Sequence, residues 1–340
     1  MRRPALSPKL VAIVGVLALA IALALSLRVG VIEVSTNEVL QALLDGLRGR
    51  TGSSGSRLLV LELRLPRALA AACVGAALAT AGCLLQALLR DPLASPSIIG
   101  TAQAAGFGRV LGVFLGLAYA PTLLLSFLTA IAGTLLVLWV SRARRGFSSN
   151  VVLLTGVNVG LLFGALIGLL QYLSRDEGQL SRMVLWLLGG LWQVTWPPLA
   201  IVGPATLASI LVAQFLARRL DVLSLGEDGA VRLGLSPRVT GTLVLALACL
   251  LTSLAVSVAG IVAFVGLVVP HAARRLVGPA HELLLPASTF LGAVLLVGID
   301  LVARSAVPPS ELPLGVLTSL VGVPVFLWLL RSLAKQGSPA

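Results

Sequence analysis

The sequence predicts an all-α integral membrane protein that crosses a bilayer about ten times. Three observations predict it. Of 340 residues, 58% are hydrophobic and only 11% are charged, where a soluble domain carries about 25% charge. Mean hydropathy is +1.03. The apolar residues gather into runs close to the ~20 residues that span a bilayer, and the charges fall in the gaps between them. A net charge of +12 could suggest a nucleic-acid binder. The basic residues are not gathered on one soluble face, so nucleic acid is excluded as a partner and membrane lipid takes its place.

The runs define ten spans within one polytopic domain, 1–340. They cover 10–28, 66–88, 97–117, 121–140, 151–173, 198–217, 239–258, 261–273, 283–303 and 313–332. The first begins with Arg2, Arg3 and Lys9, as a signal peptide would. Its run is long and no small-x-small cleavage site leads into a polar domain, so it reads as a retained span. The eighth is short and broken by Gly260, Gly266 and Pro270.

Charge sets the orientation. With the N-terminus inside, fifteen of the 25 basic residues lie on the inner side, among them Arg90, Arg142, Arg144, Arg145 and Arg232. Nine lie outside, and Arg109 falls within a span. The acids then leave the inner side strongly positive and the outer side nearly neutral. Basic residues concentrate in cytoplasmic loops, so this pattern predicts an even span number with both termini cytoplasmic.

Two loops are distinctive. Segment 29–65 is too polar to span and is expected outside. Ser35-Thr36-Asn37-Glu38 has capping-box spacing, which predicts a short outer helix through Leu47. Segment 218–238 is the longest inner loop. Its glycines and Pro237 predict one or two short helices, an order that suits docking to a cytoplasmic partner as well as plain connection.

Within the spans, chemistry is sparse. Gly156, Gly160, Gly164 and Gly168 recur every four residues and make a flat stripe, with Asn158 beside it. Such a stripe either lets a neighbouring helix approach or lines a passage. Arg109 is costly inside a span; it faces a passage and favours an anion, or it reaches water along its stem. All 13 acids lie in loops or near span ends, Asp300 being the nearest to mid-membrane. Ion-coupled carriers usually place carboxylates or broken-helix cation sites near the midplane, and none is evident. No Gly-x-x-x-x-Gly-Lys loop is present, so the chain does not itself hydrolyse ATP. Cys73, Cys83 and Cys249 sit in apolar runs without metal spacing, and two histidines are too few for a haem or metal cluster.

Several ordered blocks are similar to the FecCD-type permeases, the membrane subunits of type II ATP-binding-cassette importers for ferric siderophores, haem and cobalamin. They are Arg64-Leu65-Pro66-Arg67, the small-residue stretch Ala70–Gly82 with Gln86, Asp91-Pro92-Leu93-Ala94, Gly226–Gly234, Gly260–His271 and Glu311–Thr318. The resemblance covers nearly the whole chain. It implies a cobalamin-permease-like bundle of ten helices, with spans two to five and seven to ten as inverted repeats. It implies a homodimer in the cytoplasmic (inner) membrane of a prokaryote, two ATPase subunits that bind ATP and magnesium, and a periplasmic or lipid-anchored binding protein. The dimer-axis passage would be lined largely by the fifth and tenth spans, engaging Asn158, Gly160 and Gly164, with Arg109 of the third span a candidate for the same path if it faces the passage. Arg64, Arg67 and Arg304 match outer arginines that receive acidic residues of the binding protein. Gly226, Glu227, Ala230, Leu233 and Gly234 match the segment that couples to the ATPase, with Ala230 and Leu233 forming its apolar face. The chain departs from the family at Asp91, Ser95 and Ser97, where relatives often read Asn-Pro-Leu-Ala-Asp/Glu-Pro-Gly across 91–97, and at Arg109, where they usually carry a small or apolar residue. The expected function is ATP-driven import by alternating access. Oxyanion import of the molybdate type is the alternative, with an ion-coupled carrier or a membrane scaffold behind it.

Overall fold

The computed structural model describes residues 7–30, 32–48, 55–142 and 149–336. Arg2, Arg3, Arg144 and Arg145 of the inner-side charge pattern lie outside the described residues.

The chain forms α1 (Pro8–Arg28), α2 (Thr36–Leu47), α3 (Gly55–Leu58), α4 (Leu65–Leu89), α5 (Thr101–Phe114), α6 (Tyr119–Arg142), α7 (Ser149–Tyr172), α8 (Glu177–Leu187), α9 (Trp196–Phe215), α10 (Ala217–Ser224), α11 (Glu227–Arg232), α12 (Pro237–Ala259), α13 (Val265–Val277), α14 (His281–Ser305) and α15 (Leu314–Gln336). There is no strand among the described residues. Seven helical stretches are long and apolar enough to cross a membrane, with α15 apolar over Leu314–Trp328. The remaining two expected spans are α5 and α13, of 14 and 13 residues. The ten expected spans thus correspond to ten observed helices within a few residues at each end.

Two elements differ from expectation. A π-turn over Leu59–Arg64 fuses α3 to α4, so one helix runs Gly55–Leu89 and the outer segment is already helical from Gly55. Helix α8 was not anticipated. The Asp176 side chain accepts from the Gln179 N–H at 2.7 Å and starts it. The short helices expected within segments 29–65 and 218–238 are present. Ser35 and Glu38 close a full capping box at the start of α2, and α10 and α11 fill the inner loop.

Helix α4 is the centre of the bundle: 89% of its apolar window is buried, against 11% for α1, which rides on the outside. Its small residues are the reason. A Cβ on Gly75 would sit 2.1 Å from the Gly292 carbonyl oxygen, so α4 and α14 pack backbone to backbone in the way small residues permit within lipid. Thr80 and Thr289 add a hydroxyl pair at 2.8 Å across the same seam. Helix α12 is buried almost as deeply as α4.

The two halves repeat one design. In each, a long buried helix (α4, α12) is followed by an irregular entry, a short helix (α5, α13), a long helix (α6, α14) and a final helix (α7, α15). Each entry holds a left-handed residue just before its short helix, Gly100 at φ +78° and Phe264 at φ +65°.

Candidate functional site

The two left-handed entries rest on the final helices of their halves. Gly100 lies on Gly156 and Gly160 of α7: an added Cβ would meet the Gly156 carbonyl oxygen at 2.6 Å and the Gly160 nitrogen at 2.7 Å. Phe264 lies on Gly322 of α15, whose added Cβ would meet the Phe264 Cβ at 2.3 Å. The glycine stripe of α7 therefore divides. Gly156 and Gly160 receive the preceding turn, which answers the packing reading. Gly164 and Gly168 face open space with nothing within 4 Å, and only there does the passage reading survive. Asn158 is exposed, and its Nδ2 donates to the Leu154 carbonyl one turn back at 2.7 Å. Gln103 of α5, which the sequence reading missed, turns a buried and unpartnered Oε1 towards Gly160. Beside α15, an open cavity of about 620 Å³ is lined by Leu188, Ile261, Ala263, Gly315, Ser319 and Leu320.

Arg109 lines no open space. It is 4% exposed, and its Nη2 donates to Gln193 Oε1 at 3.1 Å. The guanidinium lies 4.5 Å from the Tyr119 ring centre and 5.7 Å from that of Trp186, a cation–π cage that replaces part of its hydration. Neither expectation for Arg109 holds in this structure. It faces neither a passage nor water but staples α5 to the start of α6 and the end of α8.

At the end of the bundle that the charge pattern assigns to the outer side, the structure brings Arg64, Arg67 and Arg304 together and turns them inward. Arg64 is 5% exposed; its Nη1 donates to the Leu27 and Arg28 carbonyls at 2.7 and 2.9 Å, and its Nη2 to that of Ile32. Arg304, equally buried, donates to the Ser26 carbonyl and, at 2.7 Å, to the Ser26 hydroxyl. The last carbonyls of α1 would otherwise lack partners, so these two arginines cap it and hold it on the bundle. Arg67 makes a forked pair with the fully buried Asp300, at 2.9 and 3.0 Å, and reaches the partly exposed Glu311 at 2.8 Å.

At the opposite end, assigned to the inner side by the same charge pattern, α11 hangs between Gly226 at φ +106° and Gly234 at φ +76°, conformations that favour glycine. Glu227 opens the helix, and its side chain lies outside the described residues. Ala230 is fully buried, which corrects the expectation that it joins Leu233 on the apolar face. The exposed apolar side chains are Leu225, Val231 and Leu233, each more than 60% exposed. Helix α11 is too short to hide both sides, and its smallest apolar residue takes the inward one.

Among the described residues, no group of three or more histidine, cysteine, aspartate or glutamate side chains is placed to hold a metal.

Known proteins agree with this architecture. The chain is 37% identical over 284 residues to the hemin transport system permease protein HmuU of Yersinia pestis, covering 82% of this chain and 84% of that one. It is 37% identical over 287 residues to the vitamin B12 import system permease protein BtuC of Klebsiella pneumoniae, covering 84% and 86%. It superposes with a TM-score of 0.85 and 32% identity on an inward-facing structure described as a metal-chelate type ABC transporter, covering 96% of this chain and all of that one. The model of the FecCD transport family matches residues 18–332, and with two short helices seated on the glycines of α7 and α15 in a bundle built around α4, the chain belongs to that family.

Proposed function

We propose that this chain is the membrane-spanning subunit of an ATP-driven importer that carries an iron chelate, haem or cobalamin inward. The observation that carries the reading is the pair of half-length helices seated on α7 and α15. It leaves the outer glycines of α7 and one side of α15 unfilled by the chain's own side chains. Lipid-facing helices seldom leave such notches empty, because close packing is what holds helices together in a bilayer. Two copies facing each other across these helices would enclose a passage, so the working unit is read as a homodimer. The relatives' cargoes, hemin and vitamin B12, are bulky, and a wide passage with few polar contacts suits them.

Two ATPase subunits would dock beneath, against Leu225, Val231 and Leu233, and would bind the ATP and magnesium. A binding protein would deliver cargo at the outer face of a prokaryotic cytoplasmic membrane, with both termini of the chain inside. Arg67 is the arginine suited to receive it, because Glu311, its partly exposed partner, can be exchanged for an incoming carboxylate. Arg64 and Arg304 would support that site from beneath. The oxyanion reading rested on Arg109, whose guanidinium is occupied by Gln193, Tyr119 and Trp186. Ion-coupled carriers commonly use a free acid or a broken-helix cation site near the midplane, and the acid nearest to it, Asp300, is held by Arg67.

The test is reconstitution with the neighbouring ATPase and binding protein, followed by uptake of haem, cobalamin, a ferric siderophore and molybdate. ATP-dependent uptake of one of the first three, abolished by Arg67→Glu, is the expected result. Uptake of molybdate alone, or uptake that persists without the ATPase, overturns the reading.

A further inference from the structure

Helix α10 is built differently from its neighbour α11. Its inward residues Ala217, Leu220 and Leu223 are buried in the main core. Arg90, which ends α4 in the left-handed region at φ +53°, donates from Nε to the Leu223 carbonyl at 3.2 Å. At the other side, Asp221 Oδ1 lies 3.1 Å from the His281 backbone nitrogen and 2.6 Å from its Nδ1. One carboxylate oxygen thus takes two hydrogen bonds from the first residue of α14. It satisfies one of the N–H groups that a helix start leaves open and places negative charge at the positive end of the helix dipole. His281 is 5% exposed, and its Nε2 is buried without a partner, so the ring is held from the Asp221 side. A second pair, Arg218 with Glu282 at 2.6 Å, crosses the same seam; it is largely exposed and therefore screened and weak.

Helix α14 runs from this seam to the outer face. Its 25 residues reach roughly 37 Å at about 1.5 Å per residue. Its far end carries Asp300 and Arg304, the partners of Arg67 and Ser26. Midway it lies backbone to backbone on α4 at Gly292. The arm α10, the strut α14 and the outer charged cluster therefore form one continuous chain of polar and packed contacts, in which the Asp221 carboxylate is partly exposed and His281 is buried.

We propose that Asp221 and His281 are positioning residues, forming the joint through which movement of the cytoplasmic arm is passed to α14 and so to the outer face. The inference rests on the importer reading above. The tip α11, with its exposed apolar side chains, meets the partner, and α10, anchored in the core, passes the displacement on. Without the joint, the arm still follows the ATPase while α14 lags, so ATP is consumed with less cargo moved.

The experiment measures cargo taken up per ATP hydrolysed by the reconstituted complex carrying Asp221→Ala, His281→Ala, both together, or Asp221→Asn. The expected result is a ratio lowered about fivefold or more in each alanine variant. The double variant should be no worse, because the two act through each other, and Asp221→Asn should recover most of the ratio, because its amide oxygen still accepts both bonds. An unchanged ratio in either alanine variant overturns the proposal, as do losses that add in the double variant. So does failure of the alanine variants to assemble, which would reduce the pair to a fold contact. A wild-type complex that assembles but moves no cargo would instead remove the importer reading beneath it.

Discussion

The two ends of the molecule use charge and apolar surface in opposite ways. At the outer end, Arg64, Arg67, Arg109, Arg304 and Asp300 are all buried or nearly so, and each finds acceptors, rings or counter-charges within the chain. At the inner end, Arg218 and Glu282 pair in the open, and Leu225, Val231 and Leu233 stand exposed on a loop outside the apolar spans. Exposed apolar side chains in a polar loop mark a surface that a partner covers. The buried outer charges therefore find their partners within the chain, whereas the inner loop keeps its ion pair in the open. The charged residues that most suggest contact with another protein in the sequence are those the fold consumes.

The largest effect that could break this comparison is at Asp300. Asp300→Ala leaves Arg67 with only its partly exposed partner and Arg304 with no counter-charge. Removing one member of a buried pair typically costs about 3–5 kcal/mol, so the purified variant should melt well below the wild type. Arg218→Ala at the inner end breaks only an exposed, screened pair and should leave the melting temperature almost unchanged. Equal losses at the two sites would show that the outer cluster is not the closed network its geometry describes.

A second effect, smaller for the fold, sharpens the inner side. Leu233→Asp removes an exposed side chain and should leave the melting temperature unchanged. If the ATPase covers this loop, a charge there should weaken association by about 1–3 kcal/mol, the usual cost of losing an interface anchor. Co-purification with the ATPase at limiting concentration reads it directly. Ala230→Asp should do the opposite, destabilising the arm from within because Ala230 is fully buried.

Much of the fold could be read from the chain because lipid simplifies the code. Length and hydropathy place the helices, and loop charge orients them. The same rule that found α2 could have found α8, since Asp176 and Gln179 share the spacing of Ser35 and Glu38. Four charged residues, Arg175, Asp176, Glu177 and Arg182, make the stretch too polar to stand out as a span. The π-turn at Leu59–Arg64 has no such signature. The fates of the arginines were not legible for a different reason. Arg67 is paired with a residue 233 positions away, and Arg109 with one 84 away. Spacing gives the cost of a buried charge but not the identity of what repays it. The glycine stripe was found by its period, yet its division into a packed half and an open half depends on where the Pro96–Ile99 turn lands, which only the assembled bundle shows.

The smallest effect concerns an outer charge that works in the open. Glu38 accepts from the Ser35 backbone N–H at 2.9 Å and from its hydroxyl at 2.7 Å, while its own N–H is capped by that hydroxyl. These bonds, the side-chain one first, hold the Glu38 carboxyl below its ordinary range. A carboxyl whose folded value lies below its unfolded one adds stability above the unfolded value. That stability fades as pH falls through the folded value, when the protonated group loses its acceptor strength. The start of α2 should therefore fray on acidification while α14 keeps its protection. Backbone hydrogen exchange at residues 36–39, compared at each pH with Glu38→Gln, isolates the effect. The glutamine still reaches the Ser35 N–H but does not titrate, so the two proteins should converge at acid pH and separate as pH rises. A constant difference between them would mean that the box holds by shape alone, and that charge at the outer end matters only where it is buried.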